Sequence, residues 1–168
     1  MGGALALRWQ WTRFDALSLH DLYDALRLRA EVFVLEQNCP YLDVDGVDPH
    51  SWHLLGHLAQ PFGELPAGQL AAYLRMVDPG VKYAEPSMGR VVNDPRLRGQ
   101  GVGRLLVGEA LRRADEVWPG LGNRISAQAH LAKLYGEFGY TLVGEPYLED
   151  NIPHHEMWRP PAVLTGRA

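Results

Sequence analysis

Apolar and polar residues recur with regular periods along most of the chain. Residues 7–11 alternate weakly and predict a first strand. Ser18, followed three residues later by Asp21, is typical of a helix start. Apolar residues then recur at helical spacing to about Gln37, before Pro40. They fall on two faces, one with Leu19, Leu22, Tyr23, Leu26, Ala30 and Phe33 and the other with Leu28, Val32 and Leu35. We therefore expect one helix that is buried on two sides.

The middle of the chain predicts three more strands and a second helix. Residues 38–49 form a turn-rich acidic loop. Strands are expected at 52–59 and 70–77, joined by a long hairpin loop at 61–66, and at 87–93, before Asp94 and Pro95. A helix should follow from Gly101 to Val117. Its apolar face would consist of Val102, Leu105, Leu106, Ala110, Ala114 and Val117.

The last third of the chain predicts a strand, a short helix and two final strands. The strands are expected at 124–129, 140–143 and 155–158, and the helix at 130–138. The resulting order, β-α-β-β-β-α-β-α-β-β, predicts an α+β (mixed α/β) fold with a mixed sheet covered by helices on both faces. The length suits a single domain over residues 1–168, with an irregular tail from about residue 160.

Composition narrows the class of protein further. With 46% hydrophobic and 21% charged residues, the chain resembles an ordinary soluble globular protein. A net charge of -4 argues against a nucleic-acid partner. No apolar run is long enough to span a bilayer, so no membrane association is expected. The single cysteine, Cys39, cannot form an internal disulfide framework, which favours a cytoplasmic location.

A glycine-rich segment between the fourth strand and the second helix carries the main chemical signal. It reads Arg98-Gly99-Gln100-Gly101-Val102-Gly103. The first backbone N–H groups of a helix lack internal partners and carry partial positive charge. Glycines let such a backbone approach an anion closely, and an arginine adds a permanent charge. The segment therefore predicts a phosphate cradle.

Two well-known phosphate-binding motifs fit this segment less well. A P-loop would need Gly-Lys-Ser/Thr, which is absent, and a dinucleotide fingerprint starting at Gly99 would need glycine where Arg104 stands. A plain glycine-rich turn with a basic surface residue stays an alternative. The strand before the segment and the amphipathic helix after it favour the phosphate cradle.

The same six residues resemble the acyl-CoA-binding motif of the GNAT family of N-acetyltransferases. Residues 28–48, 128–140 and 149–157 are similar to the ElaA-like branch of that family. The resemblance implies a mostly antiparallel sheet of six to seven strands and acetyl-CoA as acyl donor. It also makes a homodimer a candidate assembly, since related proteins often are dimers. The implied site for the pyrophosphate is residues 98–103. The other cofactor contacts it implies are Val91, Val92 and Asn93 for the pantetheine arm, and His130.

The implied reaction is direct attack of a primary amine on the thioester, through a tetrahedral intermediate. By resemblance, Tyr135 would be the acid that protonates the departing thiolate, although a tyrosine on an apolar helix stripe is equally typical of a core. The base is left open among Glu36, Glu149, Asp150, His154, His155 and a water path, and each of these side chains also suits a solvated position. The acceptor would be a small-molecule or peptide amine.

Several alternatives stay open at this point. The carboxylates of Asp43, Asp45 and Asp48 would attract a cationic amine or simply stabilise turns. They lack the spacing of a calcium loop, and Cys39 with the histidines lacks a zinc pattern, so no metal is expected. A non-catalytic acyl-CoA-binding regulator, or an acyltransferase with a longer acyl or acyl-carrier donor, is the alternative function. A nicotinamide-dependent oxidoreductase is a more distant one.

Overall fold

A computed structural model describes residues 3–163 of the chain. Seven strands and three α-helices follow the predicted order. Their bounds are β1 Leu7–Arg13, α1 Leu19–Arg29, β2 Ser51–Leu58, β3 Leu70–Val77, β4 Ser87–Asn93, α2 Val102–Val117, β5 Asn123–Gln128, α3 Ala132–Gly136, β6 Thr141–Glu149 and β7 Ile152–Arg159. A π-helical segment, Ala30–Glu36, continues α1. The α+β fold class is confirmed.

The strands form two antiparallel sheets rather than one continuous sheet. The first has the order β1-β2-β3-β4 and the second the order β5-β7-β6. The two sheets meet where β4 and β5 begin, since the backbone N–H of Arg124 donates to the carbonyl of Pro86 at 3.2 Å. The side-chain oxygen of Asn123 also accepts from the N–H of Met88 at 3.4 Å. No ladder joins β4 to β5 within residues 3–163, so the two strands are free to separate further along.

Helices cover both faces of the first sheet, as predicted. Successive residues of a strand point to opposite faces. Leu54 and Leu74 therefore face α2 and its residues Leu106 and Ala110. Their neighbours Leu55 and Tyr73 pack with Val92 against α1, which contributes Ala25 and Leu28. The first sheet is thus the middle layer, and it fixes β4 between the two helices.

Burial of α1 differs from the prediction. The helix was expected to bury two sides, but Leu19, Tyr23 and Leu35 are 85%, 70% and 75% exposed. Only the side that meets the sheet is buried, at Ala25, Leu28 and Val32. The prediction was wrong because helical spacing shows which residues share a face, but it does not show whether a second layer exists to cover that face.

Several other elements differ from the prediction in burial or in length, whereas β3 and β4 have the predicted bounds. In α2, Val107 and Leu111 are buried, whereas Leu105 of the predicted face is 51% exposed. The predicted helix at 130–138 is reduced to a single 3-10 turn followed by α3. By contrast, β6 and β7 are longer than predicted. They are joined by a two-residue turn in which Asp150 and Asn151 both have positive φ, the geometry of a tight hairpin.

The described part of the C-terminal segment is irregular. Residues 160–163 carry neither helix nor strand, and residues 164–168 of the predicted irregular tail lie outside the described residues. None of the helices within residues 3–163 is both long and apolar enough to cross a membrane.

Candidate functional site

A cavity of about 300 Å³ lies between the later parts of β4 and β5. It exists because these strands are bonded only near their starts. Val91, Val92 and Asn93 line it from β4, and Ser126, Ala127 and Gln128 line it from β5. His130, Tyr135 and Arg98 also line the cavity. Six of the residues predicted from the sequence, Val91, Val92, Asn93, Arg98, His130 and Tyr135, are therefore brought together at one opening.

A β-bulge shapes the β4 wall of this cavity. Val92 pairs with Tyr73, while Gly89 already pairs with Arg75, so two residues of β4 lie opposite Leu74. The extra residue is accommodated at Arg90, which has a φ of 52°. A bulge interrupts the ladder and bends its strand. The bulge was not predicted, because arginine has no preference for positive φ that a sequence could reveal.

The glycine-rich segment ends at the start of α2 and leaves its amides free. Gly101 is the N-cap residue, with a φ of 76°, and no side chain caps the helix. Gln100 donates its backbone N–H to the carbonyl of Leu97 at 3.3 Å. Within residues 3–163, the backbone N–H groups of Gly99 and of residues 101–104 donate to no protein acceptor. Gly99, Gly101 and Gly103 have open space where a Cβ would stand, so nothing in the chain blocks an approaching anion.

Of the glycine-rich segment, only its first residue, Arg98, reaches the cavity. Residues 99–103 do not line the cavity itself; they follow Arg98, which does. The Arg98 guanidinium donates to the carboxylate of Glu36 at the end of the π-helical segment. Both side chains are substantially exposed. Glu36, one of the candidate bases, is therefore in contact with the proposed phosphate-binding arginine.

Tyr135 combines a buried ring with a hydroxyl at the cavity. The residue is 5% exposed and its ring packs edge-on against Tyr140. Its hydroxyl makes no hydrogen bond to another described residue. Burial raises the pKa of Tyr135 to about 12, so the phenol carries its proton at neutral pH. Both predicted roles, core residue and proton donor, are compatible with this position.

The candidate bases do not share one location. Glu149, Asp150 and His154 line the cavity, whereas Glu36 and His155 do not. The Nδ1 of His154 donates to the carbonyl of Ile152 at 2.7 Å, which leaves Nε2 to face a carboxylate oxygen of Glu149 at 3.5 Å. That carboxylate also accepts from the hydroxyl of Ser126 at 2.8 Å. Glu149 and His154 therefore form the one pair among these candidates that is both in contact and at the cavity.

A buried network of arginines and aspartates fixes the acidic loop against the sheet. Arg29 on α1 donates to Asp43 at 2.9 Å and to Asp48 at 2.7 Å. Arg75 on β3 donates to Asp48 at 3.0 Å and to Asp45 at 2.7 Å. Arg90 in the bulge donates to Asp43 at 2.7 Å. Asp45 also accepts from the backbone N–H of Val47 at 3.1 Å, as expected of a turn residue, so the acidic loop is stabilised by a local turn and by the ion pairs together.

The network determines the charge states of its members. Burial disfavours the ionised form of Asp48, but hydrogen bonds from Arg29 and attraction to both arginines outweigh it and lower the pKa. The pKa of Asp45 is lowered in the same way, with Arg75 as the main partner. These aspartates stay ionised and neutralise the buried arginines. One sign of this network was present in the sequence: Arg29 and Arg75 stand on buried faces of α1 and β3, where apolar residues are usual.

No three His, Cys, Asp or Glu side chains within residues 3–163 are grouped so that they could hold a metal ion.

The family comparison matches the part of the chain that builds this site. A family described as an acetyltransferase (GNAT) domain matches residues 67–159. That interval runs from the start of β3 to the end of β7 and includes both walls of the cavity.

Individual relatives extend the similarity to the remainder of the chain. A UPF0039 protein from Synechocystis sp. is 44% identical over 153 residues, which cover 91% of this chain and 95% of the relative. Protein ElaA from Escherichia coli is 38% identical over 155 residues, which cover 91% and 96%. Its crystal structure matches with a TM-score of 0.81 at 37% identity, over 92% of this chain and 99% of that chain. The crystal structure of an acyl-CoA N-acyltransferase from Pseudomonas aeruginosa matches with a TM-score of 0.82 at 43% identity, over 92% and 99%.

Proposed function

The chain belongs to the GNAT family of acetyltransferases, in its ElaA-like branch, and we propose that it transfers an acetyl group from acetyl-CoA to a primary amine. Acyl transfer is what the family has in common. The acetyl donor, the amine acceptor and the roles of single residues are the proposal, as is the action of residues 1–168 as one domain.

The observation that carries this proposal is the row of free amides at the start of α2, directly after a residue that lines the cavity. Partial positive charge on such amides favours a diphosphate. We assign the pyrophosphate of acetyl-CoA to residues 98–103 and the pantetheine arm to the backbone of residues 91–93. Because β4 is an edge strand and no ladder joins it to β5 within residues 3–163, backbone groups on its outer edge have freedom to face the cavity. His130, exposed at the rim, would contact the cofactor.

Two groups would handle protons on opposite sides of the thioester carbonyl. Tyr135, which is protonated at neutral pH, would donate its phenolic proton to the departing CoA thiolate. On the other side, the Glu149–His154 pair would accept the proton that the attacking amine loses. Backbone N–H groups of residues 91–93 would stabilise the developing oxyanion. The C–N bond forms, the C–S bond breaks, and the amide and the free thiol of CoA are released.

The experiment that tests this function measures release of the CoA thiol from acetyl-CoA with a panel of primary amines of different charge and size. The matched variants are Tyr135→Phe and, as a control, Tyr23→Phe on the exposed side of α1. Loss of the acid should lower kcat by about 100-fold in Tyr135→Phe. The affinity for acetyl-CoA should not change, because phenylalanine keeps the buried ring that packs against Tyr140.

The alternatives give different results in the same experiment. A non-catalytic regulator would bind acetyl-CoA without releasing the thiol with any amine. A longer-chain acyltransferase would prefer a longer acyl-CoA in direct competition with acetyl-CoA. If kcat is unchanged in Tyr135→Phe, Tyr135 is not the acid, but the proposed acetyl transfer is not contradicted.

A further inference from the structure

One lysine lies at the cavity and has no acidic partner. Lys82, in the loop between β3 and β4, lines the cavity together with Glu149 and Asp150. Within residues 3–163, no carboxylate oxygen lies within 4.0 Å of its ammonium. Its described contact is with the ring of Tyr83, 5.9 Å from the ring centre. Lys82 is therefore a cavity-lining amine that forms no ion pair with the described carboxylates.

The two arginines that line the cavity are already paired with carboxylates. Arg90 is paired with Asp43 and Asp45, and Arg98 is paired with Glu36. Although Lys82 is exposed as a residue, loss of solvent around its ammonium lowers its pKa. Attraction to Glu149 opposes this change, and the positive charges of Arg75 and Arg90 add to it. A lower pKa increases the fraction of neutral amine, which is only about one in a thousand for an ordinary lysine near pH 7.4.

We propose that Lys82 is a site of self-acetylation. The proposal rests on the proposed function, because the acyl donor is the acetyl-CoA bound in the same cavity. The neutral amine of Lys82 attacks the thioester carbonyl, a C–N bond forms and the C–S bond breaks. The nitrogen of the tetrahedral intermediate loses one proton to the carboxylate of Glu149 or to water, and CoA leaves as the thiol with a proton from Tyr135. The proton lost by the nitrogen then returns to Tyr135 through water, so the enzyme gains and loses no net proton. The products are one acetyl-lysine and one CoA per chain.

The modification would regulate the enzyme. Acetylation removes the positive charge of Lys82 and places an amide where an external amine would enter. The modified chain should therefore transfer acetyl groups to external amines more slowly, and an abundant acceptor should protect Lys82 by competing for the thioester.

The chain offers an internal control for the test, since its two lysines are Lys82 and Lys133. Lys133 lies exposed on α3 and is not part of the cavity wall. The full-length chain is incubated with acetyl-CoA, and acetylation of each lysine is followed by peptide mass spectrometry. Lys82 should be acetylated at least about tenfold faster than Lys133, because binding holds the reactants together. The rate per chain should not depend on protein concentration.

Variants and a separate binding measurement distinguish this inference from the proposed function. Lys82→Arg should abolish the fast modification, Lys133→Arg should retain it, and Tyr135→Phe should slow it. Calorimetry establishes whether acetyl-CoA binds. If acetyl-CoA binds and external amines are acetylated, but Lys82 reacts no faster than Lys133, self-acetylation is overturned and the proposed function stands. If acetyl-CoA does not bind at all, both proposals fail.

Discussion

The guanidinium of Arg98 forms an ion pair with the carboxylate of Glu36. In the proposed function, the same positive charge would bind the diphosphate of acetyl-CoA. The ion pair with Glu36 joins two exposed side chains, so its contribution is about 1 kcal/mol or less. Release of Arg98 should help it to reach the anion. We therefore predict that Glu36→Gln tightens acetyl-CoA binding by up to about fivefold, measured by isothermal titration calorimetry.

The matched control for this prediction is Glu116→Gln, which removes a similar exposed ion pair with Arg112 on α2. It should leave the affinity unchanged. Weaker binding in Glu36→Gln would contradict the prediction, and it would show that Glu36 itself contributes to the cofactor site.

Single residues of the site were predictable where a local motif or a family resemblance named them. Arg98, His130 and Tyr135 were all expected near one site, and they line one cavity. The partner of Arg98 was not predictable, because Glu36 lies 62 positions away in sequence. Lys82 was also missed, since a lone lysine in a turn carries no motif.

At the scale of elements, the arginine–aspartate network connects α1, the acidic loop and the first sheet. Asp48 accepts from Arg29 and Arg75, and all three side chains are nearly fully buried. Removal of one partner leaves buried charges without compensation. We predict that Asp48→Asn lowers the free energy of unfolding by about 3 kcal/mol in urea titrations. Glu116→Gln, whose ion pair is exposed, should change it by less than about 0.5 kcal/mol. Equal effects in the two variants would contradict the structural role of the network.

Hydrophobic periodicity predicted the elements that pack against another layer. The bounds of β3 and β4 agree with the prediction, because both strands contribute buried residues on each side. Almost all of β6 is exposed, so no apolar alternation marked its full length. The π-helical segment after α1 was likewise hidden, because its residues have ordinary helical spacing.

For the whole molecule, buried histidines make stability depend on pH. Burial lowers the pKa of His53 and His57 below their ordinary value of 6.5. Between the folded and unfolded pKa values, the unfolded chain binds more protons, so lowering the pH favours unfolding. We predict that the free energy of unfolding falls as the pH is lowered from 7 to 5. Asp45 and Asp48, whose pKa values are also lowered, should add a steeper loss below about pH 4.

Urea titrations at a series of pH values test this prediction, with His57→Gln as the comparison. His57 lies near Asp21, and its Nδ1 is buried without a hydrogen bond. The variant should show a smaller change between pH 7 and 5. A free energy of unfolding that is constant over that range in the natural chain would contradict this account.

The pattern of apolar residues predicted only part of the overall fold. That pattern predicted the order of the elements and the two covering layers, and the resemblance implied the number and direction of the strands. The pattern could not show that the strands divide into two sheets, because β4 and β5 are joined only near their starts, by contacts such as the hydrogen bond between Arg124 and Pro86. The cavity is a consequence of that separation.

The central claim is that free amides at the start of α2 bind the diphosphate of CoA, and Gly103 offers the sharpest probe of it. Gly101 is a poorer choice, because its φ of 76° would strain any side chain. At Gly103 a side chain meets open space, and a carboxylate in the first helical turn stabilises the helix. The measurement is the calorimetric affinity for CoA of Gly103→Glu beside the natural chain, with the melting temperature of each. The account predicts CoA affinity at least about tenfold weaker, through repulsion of the diphosphate, with an unchanged or higher melting temperature. Equal CoA affinity in both proteins would contradict it.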